Sequence, residues 1–160
     1  MSMRAWRWLI MAGAAMGAAC AGQEPPPFKP VADVKQLMND VIDPAADGVW
    51  EASGTITTAE GSYERGPKTE NEWTAARNHA MMLAESGNLL MLVPRAKDGG
   101  EWMKLSRALV EKGEASLVAV EARNSKQIFD VGGELYEACL NCHQQYMPAI
   151  RDVLNGTKKP

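Results

Sequence analysis

Histidine and cysteine are scarce in this chain, which has two histidines and three cysteines in 160 residues. Cys139, Cys142 and His143 lie together near the C-terminus, and only Cys20 and His79 remain elsewhere. Because a structural zinc site normally takes four protein ligands, it would need one of those distant residues, and we do not predict it. The sequence also shows no Ser/His/Asp arrangement, glycine-rich phosphate loop or pair of catalytic carboxylates, so we do not expect an enzyme.

Basic residues are outnumbered, with 17 Lys and Arg against 20 Asp and Glu. Without residues 1–19 the 17 basic residues fall to 15, since Arg4 and Arg7 are lost, and the net charge becomes −5. Nucleic acids and anionic lipids bind clustered Lys and Arg, so an acidic chain argues against both as partners. The charge suits a partner protein with a basic docking patch.

An apolar run covers residues 8–19, and its twelve residues are too few for a membrane span, which takes about 20. The run follows Arg4 and Arg7, so residues 1–19 resemble a secretory signal peptide. An N-terminal helix retained in the fold is the alternative. We therefore predict that the protein is exported, to the periplasm of a bacterial cell.

Cys20 decides how the exported chain begins. Residues 17–20 read Gly-Ala-Ala-Cys and resemble a bacterial lipobox, which would make Cys20 a lipid anchor on a bacterial membrane, although such boxes usually begin with Leu. Alternatively, Ala19 and Ala21 form a small-x-small cleavage site, leaving Gly22 as the first mature residue. Residues 20–30 are rich in proline and are predicted to form an extended tether.

The rest of the chain, residues 31–160, is predicted to be one all-α domain. Apolar residues recur at spacings of three and four in four segments. The segments are residues 31–50, interrupted at Pro44, then 69–93, 101–122 and 126–154, and residues 52–68 are predicted to be a loop. This pattern predicts an antiparallel up-down-up-down four-helix bundle.

Cys139-Leu140-Asn141-Cys142-His143 is a Cys-x-x-Cys-His motif, the signature of covalent c-type haem attachment. On a helix, positions i, i+3 and i+4 share a face. The two thiols can therefore form thioethers with the haem vinyl groups while His143 binds the iron. A thioredoxin-like dithiol would instead accompany a strand and helix pattern, and we find no convincing strands. We predict one covalent haem c, held between the helices.

With its haem motif close to the C-terminus of a helical chain, the sequence resembles class II c-type cytochromes, the group of cytochromes c′ and their low-spin relatives. The resemblance covers residues 31–154 and includes Tyr146, three residues after the histidine. The next position is commonly arginine in the family, and here it is Met147. Paired bundles occur in the family, so a homodimer is one expectation of the resemblance.

Members of this family differ in the sixth ligand of the haem iron, and this difference separates two functions. Helix register leaves Met38 and Met91 each about one turn from the level of His143. The family's methionine ligand comes from the first helix, so the resemblance favours Met38 and a low-spin carrier of single electrons. The alternative is a five-coordinate haem without a protein sixth ligand, which would bind small gases such as nitric oxide or carbon monoxide.

Two further residues complete the predicted haem site. Tyr146 follows the motif on the same helix face, and Arg77 is a candidate partner for a haem propionate, although a solvated surface arginine is the simpler reading. His79 lies off the apolar face of its predicted helix, and we expect it to be exposed. Asp43 is expected to cap a helix that restarts at Pro44.

Overall fold

The computed structural model describes residues 28–156, apart from the side chains of Ile150 and Leu154. The predicted signal peptide and Cys20 therefore lie outside the described residues. The described chain is mostly helical, with one small sheet. Its elements, in order, are α1 (Val34–Leu37), a π-helix (Met38–Ile42), α2 (Asp43–Glu51), β1 (Gly54–Thr58), β2 (Gly61–Arg65), α3 (Glu70–Leu90), α4 (Glu101–Glu121), α5 (Ser125–Tyr146) and α6 (Pro148–Leu154).

The first predicted helix is observed as α1, the π-helix and α2 in direct succession. Asp33 begins it with a capping box, in which its side chain accepts from the Gln36 amide at 2.8 Å. The π-helix ends just before Pro44, whose ring would crowd the carbonyl four residues back in a regular α-helix. The interruption predicted at this proline is therefore a widened turn instead of a break. No side chain caps α2, so Asp43 does not have the predicted capping role.

The loop predicted for residues 52–68 is wrong, because it contains the antiparallel hairpin of β1 and β2. Ile56 lies opposite Tyr63 in its register. The prediction of a purely all-α chain fails in this segment. Both strands are mostly exposed, so they lack the alternation of buried and polar residues that would have marked them.

The three long helices begin near their predicted positions. α3 begins with a capping box, in which the Thr69 side chain accepts from the Glu72 backbone amide and the Glu72 carboxylate accepts from the Thr69 backbone amide at 2.8 Å. The fourth predicted helix is divided, because Pro148 disfavours helical backbone at Met147, where α5 ends and α6 follows.

The helices pack in a closed order. α2 packs on α3 and α5, α3 on α4, and α4 on α5. Gly113 of α4 lies so close to α3 that an added Cβ would be 2.3 Å from the Ala84 amide nitrogen. Fully buried leucines, among them Leu83, Leu90 and Leu135, fill the interior. Among the described residues, no helix is both long enough and apolar enough to cross a membrane.

Candidate functional site

A cavity of about 940 Å³ lies between the first helix (α1, the π-helix and α2), α4 and the second half of α5. This volume lies in the upper part of the range for small-molecule and cofactor sites, about 300–1,000 Å³. Most of its surface is apolar, with residues such as Ile42, Leu105 and Leu109 in its wall. An apolar group that entered this cavity would therefore be stabilised, because its surface and the cavity wall would both be removed from water.

Cys139, Cys142 and His143 form one wall of this cavity. Their spacing on α5 places them on one face, as the sequence predicts, and all three are half-buried. Both thiols are free. The wall therefore offers two sulfur atoms and an imidazole to whatever occupies the cavity.

Burial sets the protonation state of the two thiols. It raises the pKa of Cys139 to about 11, with smaller contributions from Cys142 and from Asp43 across the cavity wall. Burial likewise raises the pKa of Cys142. Both groups are therefore neutral thiols at pH 7, and the Cys139 and Cys142 pair is poorly prepared to act as a reactive dithiol.

One hydrogen bond and one shared cavity wall show how α2 runs beside α5. The Trp50 Nε1 donates a hydrogen bond to the Gly132 carbonyl at 2.8 Å. Asp43 is seven residues before Trp50, Cys139 is seven residues after Gly132, and both line the cavity. Because the steps run in opposite directions, the two helices are antiparallel.

The same register brings Met38 to the level of His143. Five residues before Asp43 is Met38, and five residues after Cys139 is Gln144, next to His143. The half-buried Met38 lines the same cavity as the Cys-x-x-Cys-His wall and is the first residue of the π-helix. The structure thus brings together the residues predicted as proximal and distal ligands.

Tyr146 and α4 close one side of the cavity. The Tyr146 ring meets Trp102 edge to face, with centroids 4.9 Å apart, and its hydroxyl donates a hydrogen bond to Asp98. Desolvation, followed by this bond, raises the pKa of Tyr146 to about 12. The bond also lowers the pKa of Asp98, which additionally accepts from the amides of Gly100 and Trp102. Tyr146 is thus held at the cavity wall as a neutral phenol.

The structure does not bring Arg77 to this cavity. Arg77 lies on α3 and pairs with Glu121 of α4 at 3.3 Å, with both side chains about half exposed. Met91, the other methionine that register left open, also lies outside the cavity wall. The basic side chains that do line the cavity are Lys35 and Lys97.

His79 differs from the expectation of an exposed residue. Its ring packs against Gly48 of α2, where an added Cβ would lie 2.3 Å from the ring. Its Nδ1 is buried without a hydrogen-bond partner. This packing position at the α2 and α3 contact is separate from the cavity wall.

Three cavity residues were missed by sequence reasoning: Lys35, Lys97 and Ser106. Lys35 could have been found, because it lies one helical turn before Met38. Lys97 and Ser106 had no signal, since their positions depend on how α4 packs.

The described residues contain no group of three or more His, Cys, Asp or Glu side chains placed to hold a metal ion. Covalent haem needs two thiols and one or two axial ligands, so it does not call for such a group. No family model, curated protein or solved structure matches the chain.

Proposed function

We propose that this protein is a c-type cytochrome with one covalent haem, similar to the class II group, and that it carries single electrons outside the cytoplasm. The observation that carries the proposal is one apolar cavity lined both by the Cys139 to His143 motif and by Met38. A carrier requires both sides of the iron to be held, so that no group must enter or leave when an electron moves.

The residues of the cavity fit a covalent haem. Cys139 and Cys142 are free and line the cavity, so both sulfur atoms are available to form thioether bonds with vinyl groups. The apolar walls match the porphyrin faces, and the cavity has cofactor size. The chemistry of the donors is also suitable, because imidazole and thioether are common axial ligands of haem iron.

Each residue has a defined task in this proposal. Cys139 and Cys142 would hold the haem by two thioether bonds, and His143 would bind its iron. Met38, which lines the same cavity, would be the second protein ligand of the iron. The haem, when bound, supplies an iron that alternates between Fe(III) and Fe(II). A thioether ligand favours the ferrous state and raises the reduction potential relative to a second histidine.

Lys35 and Lys97 are the proposed partners of the haem carboxylates, in place of Arg77. Both line the cavity and are exposed, so each can reach a carboxylate without losing its hydration. Lys35 lies one turn before Met38 on the first helix.

The fold proposed for this site is a four-helix bundle in which the first helix comprises α1, the π-helix and α2. The closed order of packing from α2 through α3 and α4 to α5 supports it. The hairpin of β1 and β2 is then an insertion between the first and second helices of the bundle.

Export and partners remain predictions that follow from the sequence. Covalent haem c is attached outside the cytoplasm in the family that the chain resembles, which agrees with a signal peptide at residues 1–19. A redox partner with a basic patch, a lipid tether at Cys20 and a homodimer are further proposals. Mass spectrometry of the mature protein distinguishes a lipidated Cys20 from cleavage before Gly22.

A pyridine haemochrome assay on protein from haem-loaded, export-competent cells tests the first part of the proposal. We expect a spectrum with both vinyl groups saturated by thioether bonds. A spectrum without haem would overturn the proposed function.

Met38→Ala tests the ligand assignment, with Met91→Ala as the matched control outside the cavity. We expect low-spin methionine–iron features in the oxidised natural protein and in Met91→Ala, and their loss in Met38→Ala. Features that persist unchanged in Met38→Ala would show that Met38 is not the ligand. A high-spin spectrum of the natural protein would instead favour the gas-binding alternative, in which Met38 only packs over the open iron position.

A further inference from the structure

Arg95 is a buried cation in the connection between α3 and α4, and it is 7% exposed. Its guanidinium donates from Nε to the Ala32 carbonyl at 2.9 Å and from Nη1 to the Leu89 carbonyl at 3.3 Å. Ala32 directly precedes the N-cap of α1, whereas Leu89 lies in the last turn of α3. One buried side chain thus joins the start of the first helix to the end of α3.

The bond to Leu89 explains why a positive charge can be buried at this place. The last turn of α3 contains no Lys or Arg. The carbonyl groups at the C-terminal end of a helix favour a nearby cation, and Arg95 supplies one from the connection. This bond stabilises the end of α3 and does not involve the cavity, so the bond to Ala32 has a separate role.

The bond to Ala32 holds a short segment that leads to the cavity wall. α1 has four residues, far fewer than the about 12–15 that an isolated helix needs in water. Its position therefore depends on contacts with the rest of the protein, which include the burial of Leu37 and the bond from Arg95. Met38 follows α1 directly and lines the cavity. A change in the position of α1 would therefore move Met38.

We propose that Arg95 is a positioning residue for Met38, because its bond to Ala32 holds the start of the first helix in place and so keeps Met38 at the cavity wall. The inference rests on the proposed function, in which Met38 is a ligand of the iron. Arg95 is not among the residues that line the cavity, so it acts through the segment that it holds. Without this bond the segment leaves the wall more often, and an external ligand of the iron competes better with Met38.

Azide binding to the ferric holoprotein measures how readily Met38 is displaced. Arg95→Met keeps an unbranched side chain without a donor, and it should bind azide about tenfold more tightly, as expected when a hydrogen bond from a charged group is lost. Arg77→Met is the matched control, because Arg77 pairs with Glu121 away from the cavity, and its azide affinity should equal that of the natural protein. An unchanged azide affinity in Arg95→Met would overturn the inference.

The same titrations in a Met38→Ala background show whether Arg95 acts through Met38. The iron position is already open there, so adding Arg95→Met should not tighten azide binding further. A gain that persists in this background would contradict the inference, because Arg95 would then act by another route. Arg95→Lys keeps the charge but not the planar fork, so its azide affinity should lie between those of the natural protein and Arg95→Met. It carries the same test if Arg95→Met does not fold.

Hydrogen exchange in the haem-free protein provides a readout that does not depend on the iron. The Leu37 amide donates to the Asp33 carbonyl at 2.9 Å, and the Trp73 amide donates to the Thr69 carbonyl at 3.0 Å. Each amide thus reports on the first turn of a helix that begins with a capping box. Arg95→Met should accelerate exchange of the Leu37 amide about tenfold and leave that of Trp73 unchanged. Exchange of the Leu37 amide at its natural rate would defeat the inference.

The two proposals fail in different ways. Absence of haem from the natural protein would overturn the proposed function and this inference with it. A haem protein in which neither azide affinity nor exchange at Leu37 depends on Arg95 would overturn this inference alone.

Discussion

The two halves of α5 differ in how closely their side chains are packed. In the first half, Ile128 and Leu135 are completely buried, and Gly132 lies against Trp50. In the second half, Cys139 and Cys142 remain half-buried around a cavity. One helix thus passes from the packed interior to the cavity wall within two turns.

The difference separates the residues of α5 that stabilise the fold by close packing from those that line a cavity. A folded protein fills its interior at the density of an organic crystal, so a large apolar cavity lowers stability unless something occupies it. Cys139, Cys142 and His143 lie at that cavity. In the proposed function, the packed first half holds the helices in register and the second half, which we call the open half, would hold the haem.

The largest expected effect comes from removing the sulfur atoms of the open half. Cys139→Ala with Cys142→Ala should abolish covalent haem, measured by haem staining after denaturing electrophoresis. Helix content, measured by circular dichroism of haem-free samples, should stay the same because neither side chain belongs to the packed half. Haem that remains covalently bound in this double variant would contradict the account.

Replacing one leucine in each half of α5 should lower the free energy of unfolding by different amounts. Leu135→Ala in the haem-free protein should cost about 2–5 kcal/mol, since a completely buried side chain leaves a cavity. Leu140→Ala, at the wall of the existing cavity, should cost about 1 kcal/mol or less. Denaturant titrations measure both, and equal costs would remove the proposed distinction.

The thiols of the open half should show their burial in a pH profile. Alkylation of Cys139 in the folded, haem-free protein should be slow at neutral pH and rise as pH approaches its pKa of about 11. The unfolded chain ionises this thiol at lower pH, so folding stability should fall as pH increases from about 9 to 11. Mass spectrometry after timed alkylation checks the first result, and rapid reaction at pH 7 would contradict it.

The smallest effect concerns adjacent glycines in the packed half. Gly133→Ala should stabilise the protein by about 1 kcal/mol, because an added Cβ meets nothing and alanine favours helix. Gly132→Ala should stabilise less, since its Cβ would lie 3.1 Å from Trp50. Thermal midpoints measure the difference, and a larger gain for Gly132→Ala would contradict the proposed close packing.

The long helices and the Cys-x-x-Cys-His wall of the cavity could be predicted from the sequence because their signals are local. The capping box at Thr69 and the spacing of Cys139, Cys142 and His143 each depend on a few neighbouring residues. The break at Met147 also had a local signal in Pro148, which the predicted continuous helix did not take into account. The β-hairpin had a weaker local signal in the sequence, the run of β-branched residues at positions 55–58.

What could not be predicted depends on contacts between distant segments. Arg77 and Lys97 are both basic residues, and only packing shows that Lys97 lies at the cavity while Arg77 pairs with Glu121. Ser106 cannot be told from Ser116 by sequence, although in the fold Ser116 donates to the Lys112 carbonyl and the hydroxyl of Ser106 has no hydrogen-bond partner. The π-helix that begins at Met38 likewise became visible only in the fold.

The absorption spectrum of the purified holoprotein in its oxidised and reduced states tests the central claim most directly, because it reports haem type, spin state and sixth ligand together. The account predicts a haem c with low-spin iron bound by histidine and methionine. A protein without haem, or one whose resting iron is high-spin and five-coordinate, would contradict it.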